Sequence, residues 1–274
     1  MRRKKAASLV MMILAIAGGI LTLFPYLWML ATSLKSQTEV YSSGLSLIPH
    51  HIDWGGFKEA LQNAPIGRYM FNSILVSVIS TAGVTVTSLL AGYALSRMRF
   101  PGRNFIFLII LGTMMIPHQA TMIPNYILLN WFGWINSYQG LIVPFLVYPF
   151  GIFIIRNFML SIPRELEEAA MLDGCGRLMT LLKVILPISK PAIATVVIFT
   201  FTFMWNDFFW PLVMTNTTEM RTMQVGLATL KSQFPMDWPM LMSATVLSSI
   251  PVFLIYFCFQ KFFVKGIASS GVKG

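Results

Sequence analysis

Residues 163–187, PRELEEAAMLDGCGRLMTLLKVILP, concentrate charge in a chain that otherwise avoids it. Glu165, Glu167 and Glu168 follow Ser161 and Pro163, and a helix start favours a hydroxyl cap, an early proline and negative charge. Leu166, Ala169 and Ala170 fall at i, i+3 and i+4, so they share one small apolar face. Gly174 and Gly176 interrupt the helix, because glycine weakens helix interiors and permits left-handed backbone. A second amphipathic stretch carries Leu178, Leu181, Leu182 and Ile185, and Pro187 is expected to end it. This is the chemistry of recognition: small alanines on an exposed face suit a place where another protein's surface comes close. The plainer alternative is a loop helix resting on lipid headgroups.

A second candidate lies at Trp205, Asn206 and Asp207. A carboxylate deep in a membrane span costs roughly 2.5–3.5 kcal/mol on insertion scales, so its position needs a reason. At about 1.5 Å per residue it stands about 24 Å from the inner end of its span. It is either a polar element of a translocation cavity or its outer gate, or a helix end already near water. His118, beside Pro117 and Gln119, could satisfy backbone groups freed by the proline or line a substrate path. No G-x-x-x-x-G-K-[ST] loop, H-E-x-x-H or G-x-S-x-G motif occurs. The sequence thus offers no catalytic residue and no nucleotide loop of its own. Cys175 and Cys258 have no neighbouring His or Cys, so no metal site is expected.

The elements that must hold these residues are membrane spans. Of 274 residues, 56% are hydrophobic and 11% charged, against roughly 25% charged in soluble domains. Stretches 6–34, 69–96 and 238–260 carry no charge and run 29, 28 and 23 residues, and 104–155 is uncharged for 52. About 20 apolar residues cross a bilayer. The expectation is an all-α membrane protein, one transmembrane domain over 1–274. Its six helices lie at about 7–30, 70–95, 105–123, 141–158, 191–210 and 241–259, and 163–187 is a connecting segment. The second helix is rich in Ser, Thr, Gly and Ala, which lets helices pack closely in lipid and suggests an interior place.

Basic residues orient the bundle, since cytoplasmic flanks accumulate Lys and Arg. Fifteen fall on the side of the termini and of 163–187, and five on the other. Both termini are therefore expected in the cytoplasm. This bias accounts for the net charge of +10 without a nucleic-acid partner. The apolar run after MRRKK is too long for a signal-peptide core and reads as the first span. Residues 266–274 are small and read as a mobile tail.

Glu168, Ala169 and Ala170, then Gly174, then Val184, Leu186 and Pro187 match the spacing EAA-x3-G-x9-(I/V)-x-LP. That pattern resembles the permease subunits of binding-protein-dependent ABC importers. Asn136 to Pro211 is similar to the carbohydrate-importing group, and the terminal GVKG looks like the maltose-permease type. The one departure is Cys175, where the family more often has alanine. The resemblance implies a type I importer permease fold in a bacterial cytoplasmic (inner) membrane. It implies four kinds of partner besides the lipid bilayer: a second homologous permease, two cytoplasmic ATPase subunits carrying ATP and Mg, an external solute-binding protein, and a sugar. It also implies that Glu168, Ala169, Ala170, Asp173, Gly174, Leu186 and Pro187 couple to the ATPase, with Gly271, Val272, Lys273 and Gly274 reaching toward it. Alternating access would follow. A non-sugar solute such as glycerol 3-phosphate, or a channel or scaffold role, are the alternatives.

Overall fold

The computed structural model describes residues 2–42 and 46–271, and every regular element among them is helical. The chain divides into two units, Met1–Gly67 with Gly226–Ile250, and Arg68–Val225 with Pro251–Gly274.

The first unit opens with α1 (Arg2–Ser33), whose apolar side chains stand exposed as lipid-facing residues do. Short helices α2 (Gln37–Ser42) and α3 (Gly55–Asn63) follow. Met236 fastens α2: its carbonyl accepts from Tyr41 Oη at 2.8 Å and from Gln37 Nε2 at 3.1 Å. Gly56 of α3 lies so near Pro239 that an added Cβ would meet the proline carbonyl oxygen at 2.7 Å.

The second unit is built around α4 (Ile66–Arg97). Ser77, Ser80, Ser88 and Ser96 are fully buried along it, as its small-residue composition leads one to expect. Gly92 brings α4 against α8 (Pro149–Leu160): a Cβ there would come within 2.7 Å of Ile155 Cγ2 and 3.1 Å of the Arg156 nitrogen. Val84, Ile155, Met159, Ile185 and Val196 form the fully buried heart of the resulting core.

Between these helices the chain breaks where the sequence reads as straight. The span expected at 105–123 is α5 (Arg103–Thr113), a 3₁₀ turn at His118–Thr121 and α6 (Met122–Trp131), bent by 91°. Pro117 causes it: proline removes a donor, disfavours helix in the residue before it, and is itself extended at ψ 134°. The next span is likewise composite: α7 (Tyr138–Ile142), a 3₁₀ turn at Val143–Phe145 and α8 make one stretch, Tyr138–Leu160.

Beyond α8 come α9 (Glu165–Leu172), α10 (Arg177–Thr180), a π turn (Leu181–Ile185) and α11 (Leu186–Ile188). After them follow α12 (Lys190–Asn206), α13 (Phe209–Met214), a 3₁₀ turn at Thr218–Met220, α14 (Met223–Gln233) and α15 (Trp238–Gly271). Pro187 does not end the helical stretch. It sits within α11, and the wider π turn just before it absorbs the missing donor; the sharp bend, 78°, comes before α12. Among the described residues, four helical stretches are long and apolar enough to cross a membrane, or up to six if each bent pair counts as one span. The helix α15 continues through Gly271, so residues 266–271 extend it rather than hang as a mobile tail; no proline intervenes and one glycine alone does not stop a helix. Val272, Lys273 and Gly274 lie outside the described residues.

Candidate docking interface

At one end of the second unit, α9 begins without a side-chain cap. The Arg164 carbonyl accepts from Glu167 and Glu168 nitrogens at 2.9 and 3.0 Å. Ser161 does not cap it; its hydroxyl donates backward to the Phe158 carbonyl at 2.7 Å, finishing α8 instead. Negative charge in the first turn (Glu165, Glu167, Glu168) then supplies the favourable dipole interaction that a cap would have added.

Glu167 turns inward, and this is what sequence reasoning missed. Its carboxylate lies 2.7 Å from Arg97 Nε, with the two side chains only 8% and 5% exposed. Arg97 Nη2 also donates to the carbonyls of Met159 (2.6 Å) and Ile162 (2.7 Å). One guanidinium thus joins the last residue of α4, the end of α8 and the first turn of α9. An arginine at a span end is expected from charge bias alone, so nothing in the residue types pointed to this clamp. A second arginine reinforces it: Arg156 donates to the Leu95 carbonyl at 3.3 Å and stands 3.7 Å over the Phe107 ring.

With its base held, α9 presents Leu166, Glu168, Ala169 and Leu172 outward, Leu172 being 90% exposed. Ala170 is buried, so the expected three-residue face is split: Leu166 and Ala169 look out, Ala170 packs in. Asp173 and Gly174 are exposed, Pro187 is exposed and Leu186 half-buried. Gly174 has φ +85° with open space around it, and Cys175 N bonds back to the Ala170 carbonyl at 2.9 Å. This left-handed close of α9 is what only glycine adopts freely. Leu181 and Ile185 are buried as their spacing predicts, but Leu178 and Leu182 are exposed, because the π turn rotates the face.

The second candidate lies elsewhere in the same unit. Trp205 is buried at 1% exposure and stacked on Phe201 at 5.9 Å. Asn206 is exposed. Asp207 is extended (ψ 123°) and separates α12 from α13, and its Oδ1 accepts from Trp210 N at 3.4 Å. The carboxylate thus stands at a helix end, where the freed N–H of the next helix offsets its burial. Trp210, not Trp205, carries the local architecture: its Nε1 donates to the Gly140 carbonyl at 3.1 Å. Its ring lies 5.5 Å from His118 and 5.6 Å from Phe145. His118 Nε2 is buried with no hydrogen-bond partner among the described residues. No metal-holding group of His, Cys, Asp and Glu occurs among the described residues.

Long apolar helices, two of them sharply broken, together with a helix held by a buried ion pair, define a multi-pass membrane protein. The chain belongs to the family of binding-protein-dependent transport system inner membrane components, which matches residues 83–269. Among its relatives is the arabinooligosaccharides transport system permease AraQ of Bacillus subtilis, 34% identical over 93% of this chain and 92% of that protein. The trehalose/maltose transport system permease MalG of Thermococcus litoralis is 30% identical over the whole of both chains. A chain in the crystal structure of a bacterial ABC transporter importing the acidic polysaccharide alginate superposes with TM-score 0.82 at 27% identity, covering 96% of this chain and 98% of that one. The protein is a permease of the carbohydrate ABC-importer type.

Proposed function

We propose that this chain translocates a sugar or oligosaccharide handed over by an external binding protein, and that a separate ATPase drives it through α9. Each bent helix pair counts as one span, which gives six. Both termini and α9 face the cytoplasm. The fifteen-to-five distribution of basic residues supports this orientation. A second homologous permease completes the pathway, and two ATPase subunits bind ATP with Mg. Glu168, Ala169, Asp173 and Gly174 meet the ATPase surface, with Ala170, Leu186 and Pro187 shaping the segment behind them; Gly271, Val272, Lys273 and Gly274 approach the same subunits.

One observation carries this reading: α9 is rigidly founded and outwardly unpartnered. Arg97 fixes its base through an ion pair and two carbonyls, so a push on Leu172 or Ala169 reaches α4 and α8 together. ATP closing the partner dimer would draw two such segments together and open the bundle outward; release of phosphate would reverse it. A ligand shifts such an equilibrium only through different affinity for the two states. Trp205, Asn206 and Asp207 line the substrate path; the contact of Asp207 with Trp210 N and of His118 with the Trp210 and Phe145 rings supports this reading.

The test is Gly174→Asp. The surroundings are open, so no clash follows, but a non-glycine residue in left-handed backbone costs roughly 1–2 kcal/mol and adds charge at the surface. Uptake should be lost while membrane insertion and yield persist. Normal uptake by this variant would contradict the assignment.

A further inference from the structure

Beside the clamp lies a cavity of about 410 Å³ lined by Arg99, Phe100, Gly102, Arg103, Asn104, Phe105 and Arg164. Three guanidiniums face it and no carboxylate does. Arg103 donates to the Met98 carbonyl at 3.1 Å, while the guanidiniums of Arg99 and Arg164 have no hydrogen bond or ion pair to any described residue. Like charges gathered in one place repel, so the arrangement favours a negatively charged ligand. The first backbone N–H groups of α5 open at the same place. Gly102 precedes them in left-handed backbone, φ +78°, with no side-chain cap. Phe105, Leu108 and Ile109 continue from the cavity along one face of α5, exposed at 67%, 62% and 52%.

We infer that this cavity binds the phosphodiester headgroup of an anionic phospholipid, whose acyl chains lie along Phe105, Leu108 and Ile109. Arg99 belongs to the turn after α4 and Arg164 immediately precedes α9, so the bound phosphate bridges the two ends of the clamp. Guanidiniums suit this ligand, since each offers paired donors to phosphate oxygens. A free phosphate would satisfy the arginines but not the apolar face. The inference rests on the membrane location of the chain and is separate from the coupling role proposed for α9.

The experiment uses the full chain purified with its partner subunits, extracted from vesicles of phosphatidylcholine and phosphatidylglycerol, with retained lipid counted by native mass spectrometry. Wild type should keep one phosphatidylglycerol that Arg99→Gln and Arg164→Gln each hold about fivefold more weakly, and the double variant about twenty-fivefold. Lys190→Gln removes the same charge from another exposed position and should change retention less than twofold. Unchanged melting temperatures in the two arginine variants, both altered at exposed side chains, would establish that folding is not the cause. Equal retention by wild type and the double variant would overturn the inference. Displacement of the lipid by inorganic phosphate would replace it with a free-anion site. Loss of the ATPase subunits with lipid retention unchanged would also overturn it, assigning the arginines to a partner's carboxylates.

Discussion

Two polar fasteners hold the second unit, and they are made differently. The clamp at α9 uses full charges: Arg97 and Glu167, both nearly sealed from solvent. The clasp around Asn72 and Asn136 uses mainly neutral dipoles. Asn72 Nδ2 donates to the carbonyls of Glu219 and Arg221 at 2.8 Å each, and its Oδ1 accepts from Tyr138 Oη at 2.7 Å. Asn136 Oδ1 accepts from the nitrogens of Asn216 and Thr217 at 2.9 and 3.1 Å. The clasp's amide groups are satisfied by backbone and side-chain partners within the unit. The clamp pairs two buried charges and leaves Leu172 standing out. A self-contained joint maintains shape; a joint with one free face passes force on.

The largest effect should come from breaking the clamp. Arg97→Ala leaves Glu167 charged and buried and orphans two carbonyls, so a loss of about 3–5 kcal/mol is expected. Glu167→Gln keeps the shape and the carbonyl bonds and should cost less. Thermal unfolding of the purified complex ranks the two. If Glu167→Gln proves the worse, the carbonyl contacts do not matter as argued.

The clasp should yield more gently. Asn136 is the only described non-glycine residue with positive φ, at 55°. Asn136→Ala loses the side-chain acceptor and bears left-handed strain, costing about 2–4 kcal/mol. Asn136→Gly keeps the backbone freedom and should cost about half as much. Equal losses would mean that strain contributes nothing there. Leu172→Ala sharpens the contrast from the other side. The residue is exposed, so stability should move by less than about 0.5 kcal/mol, yet uptake should fall severalfold while unstimulated ATP hydrolysis continues. A stability loss without an uptake defect would make Leu172 ordinary packing.

How far the sequence foretold this comparison depends on the physics of each part. Serines and glycines along α4 were legible, because in lipid close packing of small residues is itself the stabilising interaction. The acidic turn and Gly174 were legible as a helix start and stop. The clamp was not, since an arginine at a span end looks the same whether it faces headgroups or a buried glutamate. The 91° bend after α5 was hidden inside an uncharged run, where hydropathy carries length but not direction. Trp205 and Trp210 were indistinguishable by type; only the break at Asp207 decides which one packs and which one anchors.

The smallest effect concerns the first unit. Burial, then the nearby Asp237 charge and a hydrogen bond to it, then Asp53, raise the pKa of Glu59 above the usual carboxylate value. A raised folded-state pKa stabilises below the unfolded value, and that contribution is lost as pH rises through the folded value. Glu59→Gln should therefore slightly raise the melting temperature near neutral pH and flatten its decline just above the ordinary carboxylate range. Because Glu59 is exposed, the change should be slight. A lower melting temperature would contradict that sign.

The exposed face of α9 as the entry point for work can be tested directly. Cys175 and Cys258 are free thiols and would first be replaced by serine; Ala169→Cys is then paired with a cysteine in the groove of the ATPase subunit. A crosslink whose yield changes with ATP, and whose formation stops uptake, is the outcome predicted here. An assembly that transports normally yet gives no crosslink from Ala169→Cys, with or without nucleotide, would contradict it.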